Sequence, residues 1–205
     1  MTRREAQARR LVLLAYIAFN VVTSAAWLLI FGRRSPDLLK ERLRPGPGAK
    51  EGLAQTFALY VLPWLGHYVG AALDLRRFHR PRPVPLRLQL AGLLGYAASF
   101  GMVLWAMTVN RFFSSVVRIQ RERGQRVITA GPYRYVRHPG YAAAIPLLLS
   151  SALALGSWWA LPPALVWAVA IIRRTLLEDR LLREELEGYA TYAERVPFRL
   201  VPGIW

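Results

Sequence analysis

No cysteine occurs in the 205 residues, which excludes disulfides, thiolate nucleophiles and cysteine-based metal sites. Histidine is almost as scarce: His67, His79 and His138 are scattered, with no metal-ligand spacing, so no metal is expected. Acidic residues are few as well. Twelve Asp and Glu stand against 28 Lys and Arg, a formal net charge of +16. In a soluble chain such an excess would point to nucleic acid. Here 54% of the residues are hydrophobic, and they lie in long uncharged blocks with the arginines between them. That is the pattern of a polytopic membrane protein, and no basic stripe falls on a soluble domain. The expected partner is therefore a membrane and not a nucleic acid. The length fits one domain or a small bundle.

The first block, residues 11–31, follows Arg3, Arg4, Arg9 and Arg10 and is long enough for one span, which needs about 20 apolar residues. A signal peptide cleaved near Ser24-Ala25-Ala26 is the competing reading. The apolar run continues through Trp27-Leu28-Leu29-Ile30-Phe31, which favours a retained helix. In the polar segment 32–52, Ser35-Pro36-Asp37 opens a short helical stretch to Leu43, closed by Pro45-Gly46-Pro47-Gly48. It is read either as a membrane-surface helix or as a plain connector. The second block, 53–73, holds His67, read as a hydrogen-bonded interior histidine. A basic turn over 74–87 is rich in proline (Pro81, Pro83, Pro85). The third block, 88–109, carries Ala91, Gly92, Gly95, Ala97, Ala98, Ser99 and Gly101, small residues that let helices approach closely in lipid.

Residues 110–138 form the longest polar loop. It ends in Gly131-Pro132-Tyr133-Arg134-Tyr135-Val136-Arg137-His138-Pro139-Gly140-Tyr141. Proline suits the first turn of a helix, so the apolar run 139–172 is expected to begin as a helix at Pro139, with Arg137 and His138 at its positive end. On its own, such a segment also reads as a basic cap flanking a span. The run 139–172 is too long for one span. With Gly156-Ser157 near its midpoint and Pro162-Pro163 opening its second half, it reads as a hairpin of two short helices. The hairpin returns Arg173 onward to the membrane face that holds Arg137 and His138. There Arg174 and Glu178 share one helix face, and the helix runs to about Leu186 before Gly188.

The expected fold is therefore all-α: a polytopic membrane helix bundle of about five transmembrane helices with a cytosolic C-terminal helix and tail. Residues 1–109 hold three spans, and residues 110–205 the hairpin and its polar flanks. Five spans place 19 of the 28 Lys and Arg on one side, and the positive-inside rule makes that side the cytosol.

The stretch 131–141, the uncharged hairpin, Glu178-Asp179 and the ending Gly188-Tyr189-x-x-Tyr192-x-x-Arg195-Val196-Pro197-Phe198-Arg199-Leu200-Val201-Pro202-Gly203-Ile204-Trp205 together resemble the isoprenylcysteine carboxyl methyltransferase family. Membrane phospholipid methyltransferases share this C-terminal half. The likeness covers about 110–205, and Pro36-Asp37-Leu38-Leu39-Lys40-Glu41-Arg42 is similar to bacterial members. It implies an S-adenosylmethionine-dependent integral membrane methyltransferase, a bacterial inner-membrane protein with its active site facing the cytosol. It also implies a cofactor held between the Arg-His-Pro-x-Tyr segment and an acidic pair, here Arg137, His138, Pro139, Tyr141, Glu178 and Asp179. The family's pair is usually Glu-Glu, so Asp179 is a departure that keeps the charge and shortens the reach.

The cofactor's chemistry agrees with these residue types. A helix start flanked by Arg137 and His138 suits its carboxylate. Glu178 or Asp179 suits its ammonium or ribose hydroxyls. Tyrosine faces, Tyr135 and Tyr141 among them, suit its sulfonium. As catalytic residues, Arg174 would orient a carboxylate acceptor and Glu178 would deprotonate an amine acceptor. The acceptor is expected to be a membrane lipid or another amphipath. Sterol reductases, which use NADPH, carry a similar Arg-His-Pro-x-Tyr segment and a tyrosine-rich tail but are much longer; they form one rival reading, and a non-catalytic membrane scaffold forms another.

Overall fold

The computed structural model describes residues 3–76 and 84–205, so Pro81 and Pro83 of the basic turn lie outside the described residues. Among the described residues every regular element is helical: α1 (Arg3–Arg34), α2 (Pro36–Leu43), α3 (Leu53–Thr56), a π-helical turn (Phe57–Val61), α4 (Leu62–Arg76), α5 (Leu86–Val109), α6 (Pro139–Ala154), α7 (Leu161–Glu185) and α8 (Tyr189–Arg195). Short 3₁₀ turns at Arg121–Arg123 and Gly131–Arg134 punctuate the long loop.

Proline sets several helix starts. Pro36, Pro139 and Pro162 each sit in a first helical turn, where a missing N–H removes no hydrogen bond. The hairpin bends at Gly156, whose φ of +69° is in the left-handed region, and the Gln89 side chain fills the space where a Cβ would stand. Ser157 Oγ then donates to Asp74 Oδ2 (2.7 Å) and accepts from the Ala160 N–H, closing the turn that leads into α7.

Among the described residues, three helical stretches are long and apolar enough to cross a membrane: Arg3–Arg34, Ala54–Asp74 and Leu86–Val109. The expected count of five is not reached by length and composition. Helix α6 has 16 residues, about 24 Å at 1.5 Å per residue, against a hydrocarbon core of about 30 Å. Helix α7 leaves its apolar run at Arg173 and continues without a break to Glu185, so its second half is polar. Outward-facing Leu14, Val21, Val22, Trp64, Leu94, Leu165 and Val169 are all exposed, an apolar belt suited to lipid.

Packing inside that belt uses small and polar residues. A Cβ built on Gly92 would lie 2.6 Å from Ala154 N and 2.8 Å from Ser150 O, and one on Gly95 would lie 2.7 Å from Ser150 Oγ. Those two glycines therefore bring α5 against α6, while Gly101 faces open space. His67 is fully buried, with its ring nitrogens 3.0 Å from Ala160 O and 2.9 Å from Ser151 Oγ, an interior histidine as its setting foretold. Ser151 also meets Tyr16 (2.6 Å), so one hydroxyl ties α1, α4 and α6 together.

Helix α2 is more than a connector. Leu38 packs with Phe31 and Met107, and Glu41 takes a two-pronged bond from Arg118 (Nε to Oε1 2.9 Å, Nη2 to Oε2 2.7 Å). Both side chains are buried, so this pair clamps the long loop to the N-terminal helices.

Candidate active site

The Gly131–Arg134 turn, the start of α6, the polar half of α7 and α8 meet at the end of the bundle where α5 stops. The backbone sets the frame: the N–H groups of Arg137 and His138 donate to Phe198 O (2.9 Å) and Arg199 O (3.0 Å), binding the C-terminal tail beside the helix start.

Asp179 is the hub. Arg137 donates Nε to its Oδ1 (2.7 Å) and Nη2 to its Oδ2 (3.2 Å), Tyr189 OH donates to Oδ1 (3.0 Å), and Arg199 Nε and Arg183 Nε reach Oδ2 at 3.0 and 3.3 Å. His138 Nε2 lies 3.2 Å from Oδ1. Burial alone would raise this carboxyl, but the bonds and charges of His138 and Arg137 outweigh it and hold Asp179 well below the usual carboxylate range. Burial, and then the Asp179 charge, push the Tyr189 phenol up, so it stays a donor. Arg137 gives its remaining nitrogen to Val196 O (2.7 Å). Its guanidinium is thus engaged on three bonds, as a strut between helix, tail and Asp179.

Beside the hub lies a narrow cleft of about 610 Å³, counted out to its open mouth. Tyr133, Tyr141, Tyr189, Tyr192 and Phe113 give it aromatic walls, His138 and Gly140 line it at the start of α6, Glu178 lines it from α7, and Arg126 from the long loop. The His138 and Tyr141 rings stack with centroids 5.8 Å apart. Tyr192 OH donates to Tyr133 O (2.7 Å), fixing two of the aromatic walls to each other. Tyr141 OH donates to Glu178 Oε2 (2.6 Å) and accepts from Arg174 Nε (2.8 Å), so Arg174 and Glu178 meet through a tyrosine rather than as an exposed helix pair.

A family model described as Phospholipid methyltransferase matches residues 88–187. That segment is similar to the phospholipid methyltransferases. A search of the curated proteins finds no match. The matched segment spans α5 to the end of α7 and holds Arg126, Tyr133, Arg137, His138, Tyr141, Arg174, Glu178 and Asp179. Such a family supports a membrane protein with methyl transfer as its class of activity.

Of the residues singled out in the sequence, His138, Tyr141, Glu178 and Arg137 line the cleft, and Asp179 stands behind it as Arg137's partner. Pro139 is fully buried beneath, where it starts α6. Arg174 does not line the cleft; it is buried on the far side of Tyr141, where it donates to Ser115 O (2.7 Å) and lies over the Tyr60 ring. Tyr135 is 63% exposed and does not line the cleft. The sequence reading missed Tyr133, Tyr192 and Arg126 as lining residues. The only signal for the tyrosines was aromatic richness around the Arg-His-Pro and the tail; Tyr133 faces the cleft and Tyr135 faces out.

Proposed function

We propose that the chain is an integral membrane S-adenosylmethionine-dependent methyltransferase acting on a lipidic or amphipathic acceptor, in the manner of the isoprenylcysteine carboxyl methyltransferases and phospholipid methyltransferases it resembles. The observation that carries this reading is the donor set of the cleft. It combines one carboxylate (Glu178), one exposed cation at the rim (Arg126), a first-turn backbone N–H (Gly140) and several tyrosine faces, of which Tyr189 and Tyr192 lie outside the matched segment.

Those groups fit a ligand carrying a carboxylate, an ammonium, ribose hydroxyls and a sulfonium. Glu178 has one oxygen bonded to Tyr141, while the other is left to accept from an ammonium or a hydroxyl. Arg126 and the α6 start suit a carboxylate better than Arg137, whose bonds are already made within the protein. The tyrosine faces suit a sulfonium through cation–π attraction, about 0.5–2 kcal/mol each.

When bound, S-adenosylmethionine supplies an electrophilic methyl group on sulfur. The protein's task is then alignment, charge placement and exclusion of water. Tyr141 holds Glu178 in place from one side and takes the Arg174 bond from the other. Arg174 is positioned to orient an acceptor approaching from the side of Tyr60 and Ser115, and a carboxylate acceptor needs no base. The active site faces the cytosol in this account, because the clustered Lys and Arg lie at that end of the bundle.

The direct test uses the full chain in lipid nanodiscs with tritiated S-adenosylmethionine and a bacterial lipid extract. Label is expected in the organic phase, and Tyr141→Phe should slow its appearance more than it weakens cofactor binding. No labelled lipid, together with oxidation of NADPH by the same preparation, would instead favour the reductase.

A further inference from the structure

Helix α2 carries two adjacent charges with opposite fates. Glu41 is taken up by Arg118, with Ser114 Oγ donating a further bond (2.8 Å). Arg42 turns the other way, partly buried, with its guanidinium carbon 5.4 Å from the centre of the Phe113 ring. No carboxylate forms a salt bridge with it among the described residues. The buried arginines elsewhere are treated differently: Arg118 has Glu41, and Arg137 has Asp179.

Arg42 is also held next to a second cation. Ser115 Oγ donates to Arg42 O (3.1 Å), and Arg174 Nη2 donates to Ser115 O (2.7 Å). Arg174 is nearly enclosed, stacked between the Tyr60 and Tyr141 rings at 5.2 and 5.8 Å. The acid nearest to it is Glu51, whose Oε2 lies 3.6 Å from Arg174 Nη1, while its Oε1 is taken by Arg173 (2.8 Å) and the Tyr60 hydroxyl (2.9 Å). Two guanidiniums therefore converge where Glu51 is shared between Arg173 and Arg174, Glu178 reaches Arg174 only through Tyr141, and no carboxylate among the described residues pairs with Arg42. Taking a charge out of water without a counter-charge is costly, so such a pair calls for an anion. Burial pulls Arg42 below its ordinary pKa, Tyr141 offsets part of this, and the Arg174 charge adds to the pull.

Phe113 and Tyr141 form the partition. Both line the cleft, and Arg42 and Arg174 lie against these same rings without lining it. Phe113 also presses on the start of α6, where a Cβ on Gly140 would run into its ring.

We propose that Arg42 and Arg174 form the receiving end of an acceptor site across Phe113 and Tyr141 from the cleft, binding the phosphate or carboxylate of an amphipath. Arg42 is the specificity-determining residue of that site, and it comes from α2, outside the matched segment. The exposed Leu43 beside it suits an apolar chain. This inference rests on the reading that the cleft holds the cofactor.

The test uses native mass spectrometry of the full chain released from neutral detergent, with dilauroylphosphatidic acid, laurate and monolaurin as probes. Wild type should favour an acidic probe over monolaurin by about tenfold, the scale of one charge-assisted hydrogen bond. The phosphate and carboxylate arms show which head group is taken. Arg42→Gln should reduce the preference to less than about twofold, Arg42→Lys should retain most of it, and Arg44→Gln, an exposed neighbour, should leave it unchanged. S-adenosylhomocysteine affinity, measured on the same samples, should be unchanged in all three. An undiminished preference in Arg42→Gln, or an equal loss in Arg44→Gln, overturns the assignment. Absence of S-adenosylhomocysteine binding in wild type would count against the cofactor reading instead, and the probe series would still report on Arg42.

Discussion

Asp179 accepts bonds from Arg137, Tyr189, Arg183 and Arg199 at once, so a single carboxylate holds the start of α6, the polar half of α7 and the C-terminal tail together. The short reach of an Asp at this position has a physical reading here. The side chain acts within the protein, where a short reach keeps it close to Arg137, and Glu178 is the acid that faces the cleft. Removing one partner from a buried pair costs about 3–5 kcal/mol, so Asp179→Asn should lower thermal stability markedly at neutral pH. The pH dependence has a definite sign. Because the folded-state pKa is depressed, the stabilisation is complete above the ordinary carboxylate value of about 3.9 and is lost as pH falls below it towards the folded value. Melting curves in detergent should thus separate wild type from Asp179→Asn at pH 5–8 and bring them together in acid. A gap that stays constant into acid would show that Asp179 is not the titrating anchor. The adjacency of Glu178 and Asp179 was visible in the sequence, but their division of labour was not, because it depends on which way each faces from one turn of α7.

At the scale of elements, the proline-started helices were legible: Pro36, Pro139 and Pro162 each carry their signal locally. The small residues of α5 were legible as a packing surface, and the structure assigns that duty to Gly92 and Gly95 rather than to Gly101. Gly92→Ala should therefore cost about 1–3 kcal/mol through overpacking against Ser150, Leu153 and Ala154, whereas Gly101→Ala should leave stability near wild type. Thermal melts of the two variants check this, and equal melting temperatures would mean that α5 and α6 do not touch there. Other elements left no local trace. The Glu41–Arg118 clamp joins residues 77 apart, and the π turn that brings Tyr60 to Glu51 and Arg174 shows no break in its apolar sequence. Helix α8, only seven residues after Gly188, read as an extension of the tail.

For the whole molecule, the two ends of the bundle have different chemistry. The hairpin turn sits at one end with Gly70, Asp74 and Gln89, near Val84, to which Arg9 donates a 2.6 Å bond. The cleft, the Asp179 hub, α2 and the long basic loop are gathered at the other. A hairpin shorter than a full span is what returns Arg173 to that end, so the charged flank of α7 can meet the start of α6. The overall class was legible from the alternation of apolar blocks and arginines, and three of the expected spans are long and apolar enough among the described residues. The central claim, that the cleft holds S-adenosylmethionine and that Glu178 faces it, is tested most directly by calorimetry of S-adenosylhomocysteine with the purified protein in detergent, wild type beside Glu178→Gln. The account predicts 1:1 binding that weakens about ten- to a hundredfold in the variant, the worth of one charge-assisted hydrogen bond. Binding of equal strength in both proteins would contradict the placement of the site, and no heat from wild type would contradict the cofactor itself.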